Sequence, residues 1–144
     1  MKITANAFIF YKGKLLVIHH KKLNTWLHPG GHVKENESFF EALTREIKEE
    51  VGLDIQVIGN NTFKTKKYEY MIAEPVPFRV GVSDNKRAIR LDYVAKANTD
   101  KITLQEDEIL DYKWINEKEI NDLNTFPLFK ELAHEAFKVI KKQS

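Results

Sequence analysis

The chain has 144 residues, of which 42% are hydrophobic and 31% charged, and its 23 basic and 21 acidic side chains leave a net charge of +2. That length suits one domain with its own core over residues 1–144, and the balanced charge argues against nucleic acid as the main partner. The absence of cysteine excludes disulfides, thiolate metal sites and cysteine nucleophiles, and makes a cytoplasmic setting the natural expectation.

Residues 1–10 are too short an apolar run for a signal core or a membrane span. Residues 4–10 read instead as a buried strand. Tyr11-Lys12-Gly13-Lys14 is a turn signal, and residues 15–18 form the second strand of a hairpin. His19-His20-Lys21-Lys22 follows, either a solvated strand end or a contact for anions. Trp26 and Leu27 are expected to pack under a turn at Pro29-Gly30-Gly31, where paired glycines let the backbone approach another group closely.

A helix is expected to start near Ser38, which with Glu41 makes a capping box, and to end at Gly52 as a left-handed cap. Phe40, Leu43, Ile47 and Val51 form its apolar stripe. Residues 54–58 and 65–73 read as strands. The prolines at 75 and 77 break regular structure. Residues 79–87 are loop-like with room for a short strand, and 88–95 and 109–115 are strands, the last with Trp114 inward. Asn116 or a neighbouring residue is expected to cap a short helix over 117–123, and residues 127–140 form an amphipathic helix. Strands in the middle with helices early and late give an α/β fold, a mixed β-sheet packed between helices in three layers.

Glu46, Glu49 and Glu50 stand at i, i+3 and i+4, within roughly 100° of arc on one helix face. Such a cluster repels itself unless a cation sits among its oxygens, and hard carboxylates suit Mg²⁺ or Mn²⁺. A solvated helix face is the competing reading of these five residues alone. The wider stretch decides between them. Residues 31–53 read Gly-x5-Glu-x7-Arg-Glu-Ile-x-Glu-Glu-x-Gly-Leu, with Gly31, Glu37, Arg45, Glu46, Glu49, Glu50 and Gly52 at the marked positions.

This stretch resembles the signature of the Nudix hydrolase family. The resemblance implies an α/β/α sandwich and metal-dependent hydrolysis of a nucleoside diphosphate linked to another group. It implies Glu49 and Glu50 as main metal ligands, Glu46 as a further ligand or general base, and a backbone carbonyl of Gly30 or Gly31 as another ligand. Arg45 is expected to orient a carboxylate, and Glu37 to hold the loop–helix junction with Arg45 as a partner. Glu108, six residues before Trp114, stands where relatives carry an extra metal ligand or base.

The substrate is expected to be a small nucleotide, with nucleoside triphosphate pyrophosphohydrolysis first. Tyr70 and Tyr68 raise a dinucleoside polyphosphate hydrolase as the alternative, since a tyrosine near there resembles a mark of that branch and could stack on a base. Arg79 and Arg90, with Arg87, are candidates for distal phosphates. The lysines at 64, 66 and 67 are the feature an RNA-end hydrolase would use. Pro75 lies too far downstream for the ADP-ribose branch, and isoprenoid diphosphate isomerisation needs a cysteine acid that is absent. A catalytically silent nucleotide-binding regulatory domain is a further alternative, against which all three motif acids are retained. The sequence leaves a homodimer open.

Overall fold

The computed structural model describes residues 1–59 and 74–143. Its order is β1 (Lys2–Tyr11), β2 (Lys14–His20), β3 (Thr25–Leu27), β4 (Gly30–His32), α1 (Phe39–Val51), β5 (Ile55–Ile58), β6 (Arg79–Val82), β7 (Ala88–Ala97), β8 (Ile109–Ile115), a 3₁₀ helix (Glu117–Asp122) and α2 (Pro127–Lys141). The expected strand over 65–73, with Tyr68 and Tyr70, lies outside the described residues.

β1 and β7 run parallel at the centre, in register from Lys2↔Ala88 to Phe10↔Lys96. On its other edge β1 changes partner. Thr4, Ala5 and Asn6 face His32, Gly31 and Gly30 of β4, whereas Phe10 and Tyr11 face Leu15 and Lys14 of β2. The outer edge of β7 is divided in the same way, between β6 (Arg79↔Asp92 to Val82↔Ile89) and β5 (Ile55↔Ala97 to Ile58↔Val94). β3 and β8 both pair with β2.

The alternation of β1 divides the core in two. Ala5, Ala7 and Ile9 join Leu43, Ile47 and Val51 of α1 on one face. Phe8 and Phe10 join Phe129, Leu132, Ala133, Ala136 and Phe137 of α2 on the other. The result is the expected mixed sheet between helices.

One local expectation differs from the structure. Gly30 and Gly31 are not a turn but the start of a paired strand, because the bond network with β1 compensates for their poor strand preference. The short strand for which residues 79–87 left room is formed by residues 79–82, held against β7, and the following residues turn, with Lys86 at φ 60°.

α1 is set by its ends. Glu41 N donates to Ser38 Oγ at 3.1 Å, and Ser38 N donates back to Glu41 Oε1 at 2.9 Å. Gly52 closes the helix at φ 73°, its N–H donating to the Lys48 carbonyl. Removing the cap by Ser38→Ala should cost about 1 kcal/mol of unfolding free energy, read from urea melts, with the sheet's circular dichroism unaltered.

Candidate active site

The acids of α1 do not share one environment. Leu43, Ile47 and Val51 are buried against the sheet, and Glu50 is buried with them at 4% exposure, whereas Phe40 is only half-buried. Glu46 lies at the edge of that buried stripe, and the Glu49 side chain is 48% exposed. Which acid goes inward is settled by β4, which crosses α1 there. Gly30 N donates to Glu50 Oε1 at 2.7 Å. A Cβ on Gly31 would lie 2.3 Å from Oε2 of Glu46, and one on Gly30 would lie 2.4 Å from the Ala5 carbonyl oxygen. Glycine at 30 lets this strand lie against β1, and glycine at 31 leaves the Glu46 carboxylate its place.

Burial drives the Glu50 carboxyl up to about 8, and the charges of Glu46, Glu108 and Glu49 add to the rise against the opposing Gly30 hydrogen bond. Arg45 handles the other acids. Its Nε donates to Glu37 Oε2 at 2.5 Å and its Nη2 to Glu37 Oε1 at 2.9 Å, a two-point fork. Nη1 donates to Glu46 Oε1 at 2.8 Å and to Glu49 Oε2 at 3.3 Å, and Nη2 also reaches the His32 carbonyl at 3.0 Å. The hydrogen bond from Arg45, with a second from the Lys34 backbone, holds Glu37 down at about 2.

These groups line a cavity of about 490 Å³. Gly30, Gly31, Glu46 and Glu50 form one wall, and Asp107 and Glu108 face them from the loop before β8. His20, Lys21 and Lys22 stand on the rim, and His32 completes it. Of the sequence-derived ligands, Glu46, Glu50, Gly30, Gly31 and Glu108 are therefore brought together, while Glu49 is held outside that wall by Arg45. Asp107 was not anticipated, although it adjoins Glu108 in an acidic triplet.

Arg79 and Arg90 line a second cavity, of about 580 Å³, between β6, β7 and the start of α2. Its walls are largely apolar, from Val80, Val82, Ile89, Leu128 and Leu132, and His32 borders it as well as the acidic cavity. Each arginine already has a carboxylate. Arg79 pairs with Glu135 of α2, and Arg90 Nε donates to Asp92 Oδ2 at 3.3 Å. Asp92 is buried and also bonds His28 Nε2 at 2.7 Å. Burial pushes that carboxyl up, but His28 and Arg90 outweigh it and hold it below its ordinary range. No short-range pattern points to this pair, whose members stand 64 residues apart. Tyr70 lies outside the described residues.

The donor chemistry fits a divalent cation. It is all oxygen, it is mounted on a helix over a glycine floor, and burial, with the neighbouring like charges, holds a proton on Glu50 that a cation would replace. Among the described residues no three acids or histidines already converge as a closed cage.

Two pH effects follow for the metal-free protein. Glu50 is raised from 4.5 to about 8, so its stabilising share is complete below the lower value and is lost as pH rises through the upper one. Glu50→Gln should therefore gain stability relative to the parent as pH rises from 5 to 9 in EDTA, read as urea midpoints. Glu37 is lowered to about 2, so its share is present above 4.5 and lost as pH falls toward 2. Glu37→Gln should be less stable than the parent at pH 6, with the gap narrowing by pH 3.

The family model described as the NUDIX domain matches residues 2–142. Among curated relatives, an 8-oxo-dGTP diphosphatase of Buchnera aphidicola subsp. Schizaphis graminum is 39% identical over 66 residues, covering 43% of this chain and 49% of that protein. An RNA pyrophosphohydrolase of Marinomonas sp. is 45% identical over 51 residues, covering 33% of this chain and 32% of that protein. The chain thus spans half or less of the length of these relatives. Among solved structures, a NUDIX family hydrolase from Clostridium perfringens superposes with TM-score 0.80 at 24% identity, over 96% of this chain and 97% of that one. A C. elegans Ap4A hydrolase gives TM-score 0.72 at 17% identity, over 98% and 99%. With a family match over residues 2–142 and a motif that brings Glu46 and Glu50 to one cavity, the chain belongs to the Nudix family.

Proposed function

We propose that this protein hydrolyses a phosphoanhydride bond of a nucleotide, with nucleoside triphosphates as the first substrate class, using Mg²⁺ or Mn²⁺. The observation that carries the reading is the adjacency of two cavities. The acidic one and the larger apolar one share His32 as a wall, so a diphosphate at the acids leaves its nucleoside next to an apolar cleft. The names of the two curated relatives both describe hydrolysis at a diphosphate, which supports the same reaction class. Residues 1–144 then act as one domain, and the lack of cysteine supports a cytoplasmic setting.

Glu50 and Glu46, with a Gly30 or Gly31 carbonyl and Glu108, would hold the cation, and Glu49 would join them only by leaving Arg45. When bound, it would neutralise phosphate oxygens and make the attacking water more acidic. To serve as a ligand Glu50 would give up its proton. Arg45 fixes Glu46 through Oε1, which leaves Oε2 beside Gly31 to complete the ligand set or to take the proton of the water. Arg90 and Arg79 line the apolar cleft, so on this reading they face the nucleoside end of the substrate rather than its distal phosphates, Arg79 by exchanging Glu135 for the ligand.

A panel of nucleoside triphosphates, nucleoside diphosphate sugars and dinucleoside polyphosphates, assayed for released phosphate or pyrophosphate with each metal, tests this. Turnover should appear, and Glu50→Gln should abolish it with the fold retained. Glu46→Gln should lower kcat by about 10²–10⁴-fold if it takes the proton. Arg45→Lys, which loses the fork to Glu37, should cost about 10–100-fold. No turnover and no metal binding across the panel would show a silent nucleotide-binding domain instead.

A further inference from the structure

We infer that the turn after β2 carries a docking site for the unesterified end of a polyphosphate chain, formed by His20, Lys21 and Lys22, so that the substrate ends in free phosphate rather than in a sugar. The inference rests on the reading of the neighbouring acids as a diphosphate-hydrolysing centre.

Four hydrogen bonds pin the turn. His19 Nε2 bonds Asn24 Oδ1 at 3.0 Å, and Asn24 N donates to the His20 carbonyl at 2.8 Å. Leu23 N donates to His20 Nδ1 at 3.4 Å, and Lys21 N donates to the Glu108 carbonyl at 2.8 Å. The last bond ties the turn directly to the acidic loop. The third makes Nδ1 an acceptor, so Nε2 is the nitrogen that carries a proton and can donate. Both lysines line the acidic cavity, yet among the described residues neither forms a salt bridge. Two ammonium groups held beside four acids and paired with none of them are available to a ligand that brings its own negative charge.

The count of charges selects the ligand. A diphosphate bridging nucleoside and sugar has both phosphates engaged at the acids, and a neutral sugar gives the lysines nothing to pair with. A triphosphate extends one further, doubly charged group, which two ammoniums and an N–H donor match.

The double variant Lys21→Ala/Lys22→Ala, at exposed positions, should lower kcat/KM for dGTP by about tenfold or more, chiefly through KM. The loss with ADP-ribose should be several-fold smaller. Inorganic tripolyphosphate, titrated by calorimetry with Mg²⁺ present, should bind the variant correspondingly more weakly, and Lys21→Arg/Lys22→Arg should restore binding. Equal losses on both nucleotides, or tripolyphosphate binding that the alanines leave unaltered, would overturn the inference. Failure of the hydrolase reading would show separately, as no turnover by the unsubstituted protein, while the tripolyphosphate titration would still report on the lysines.

Discussion

Everything at the acidic cavity depends on one close approach, that of the Gly30–His32 strand to the acid face of α1. The Gly30 N–H reaches Glu50, and Gly31 leaves room for the Glu46 carboxylate. A side chain at Gly30 would meet the backbone of β1, and one at Gly31 would displace the Glu46 carboxylate. The cost of the arrangement is a carboxyl held in a buried place among like charges, which a chain selected for stability alone would replace with an apolar residue. Binding chemistry and folding stability therefore oppose each other at Glu50, and the rest of the fold supplies the stability that this position withholds.

That supply comes from the two-sided core. Small residues on β1, Ala5 and Ala7, face α1, while Phe8 and Phe10 face α2. The α1 side is thin where β4 must pass, and the α2 side carries the bulk. Phe8 stacks on His28 with ring centroids 4.2 Å apart and lies 5.5 Å from Phe129. The buried His28–Asp92 bond joins the residue just before Pro29 to β7, so the entry to β4 is anchored from the opposite face of the sheet. Arg45 anchors its exit through the His32 carbonyl. Between these two ties the strand has little freedom, which suits a site whose donors must be held in place before ligand arrives.

The legibility of the sequence follows the range of the interactions involved. α1 could be read to the residue at both ends because Ser38–Glu41 and Gly52 act within one turn of chain. β8 and α2 were legible from periodicity. β4 was not, because three residues that include two glycines become a strand only through β1, some 25 positions earlier. The acids show the same limit. Spacing places Glu46, Glu49 and Glu50 on one arc, but only the strand lying over the helix separates a buried Glu50 from an exposed Glu49. Asp107, His32 and the role of Asp92 came from tertiary proximity, for which a single sequence has no local sign.

His32 borders both cavities, and this has a consequence for how specificity could diversify. A shared wall couples the two sites mechanically, so a change of backbone at β4 that reshaped the apolar cleft would also displace the glycines from α1. The strand between the cavities is thereby closed to drift. Variation is free to accumulate only on walls that belong to one cavity alone, β6 and the start of α2 on one side and the turn after β2 on the other. Under the proposed function, recognition of base and of phosphate tail would then change separately, around an acidic centre that neither is able to move.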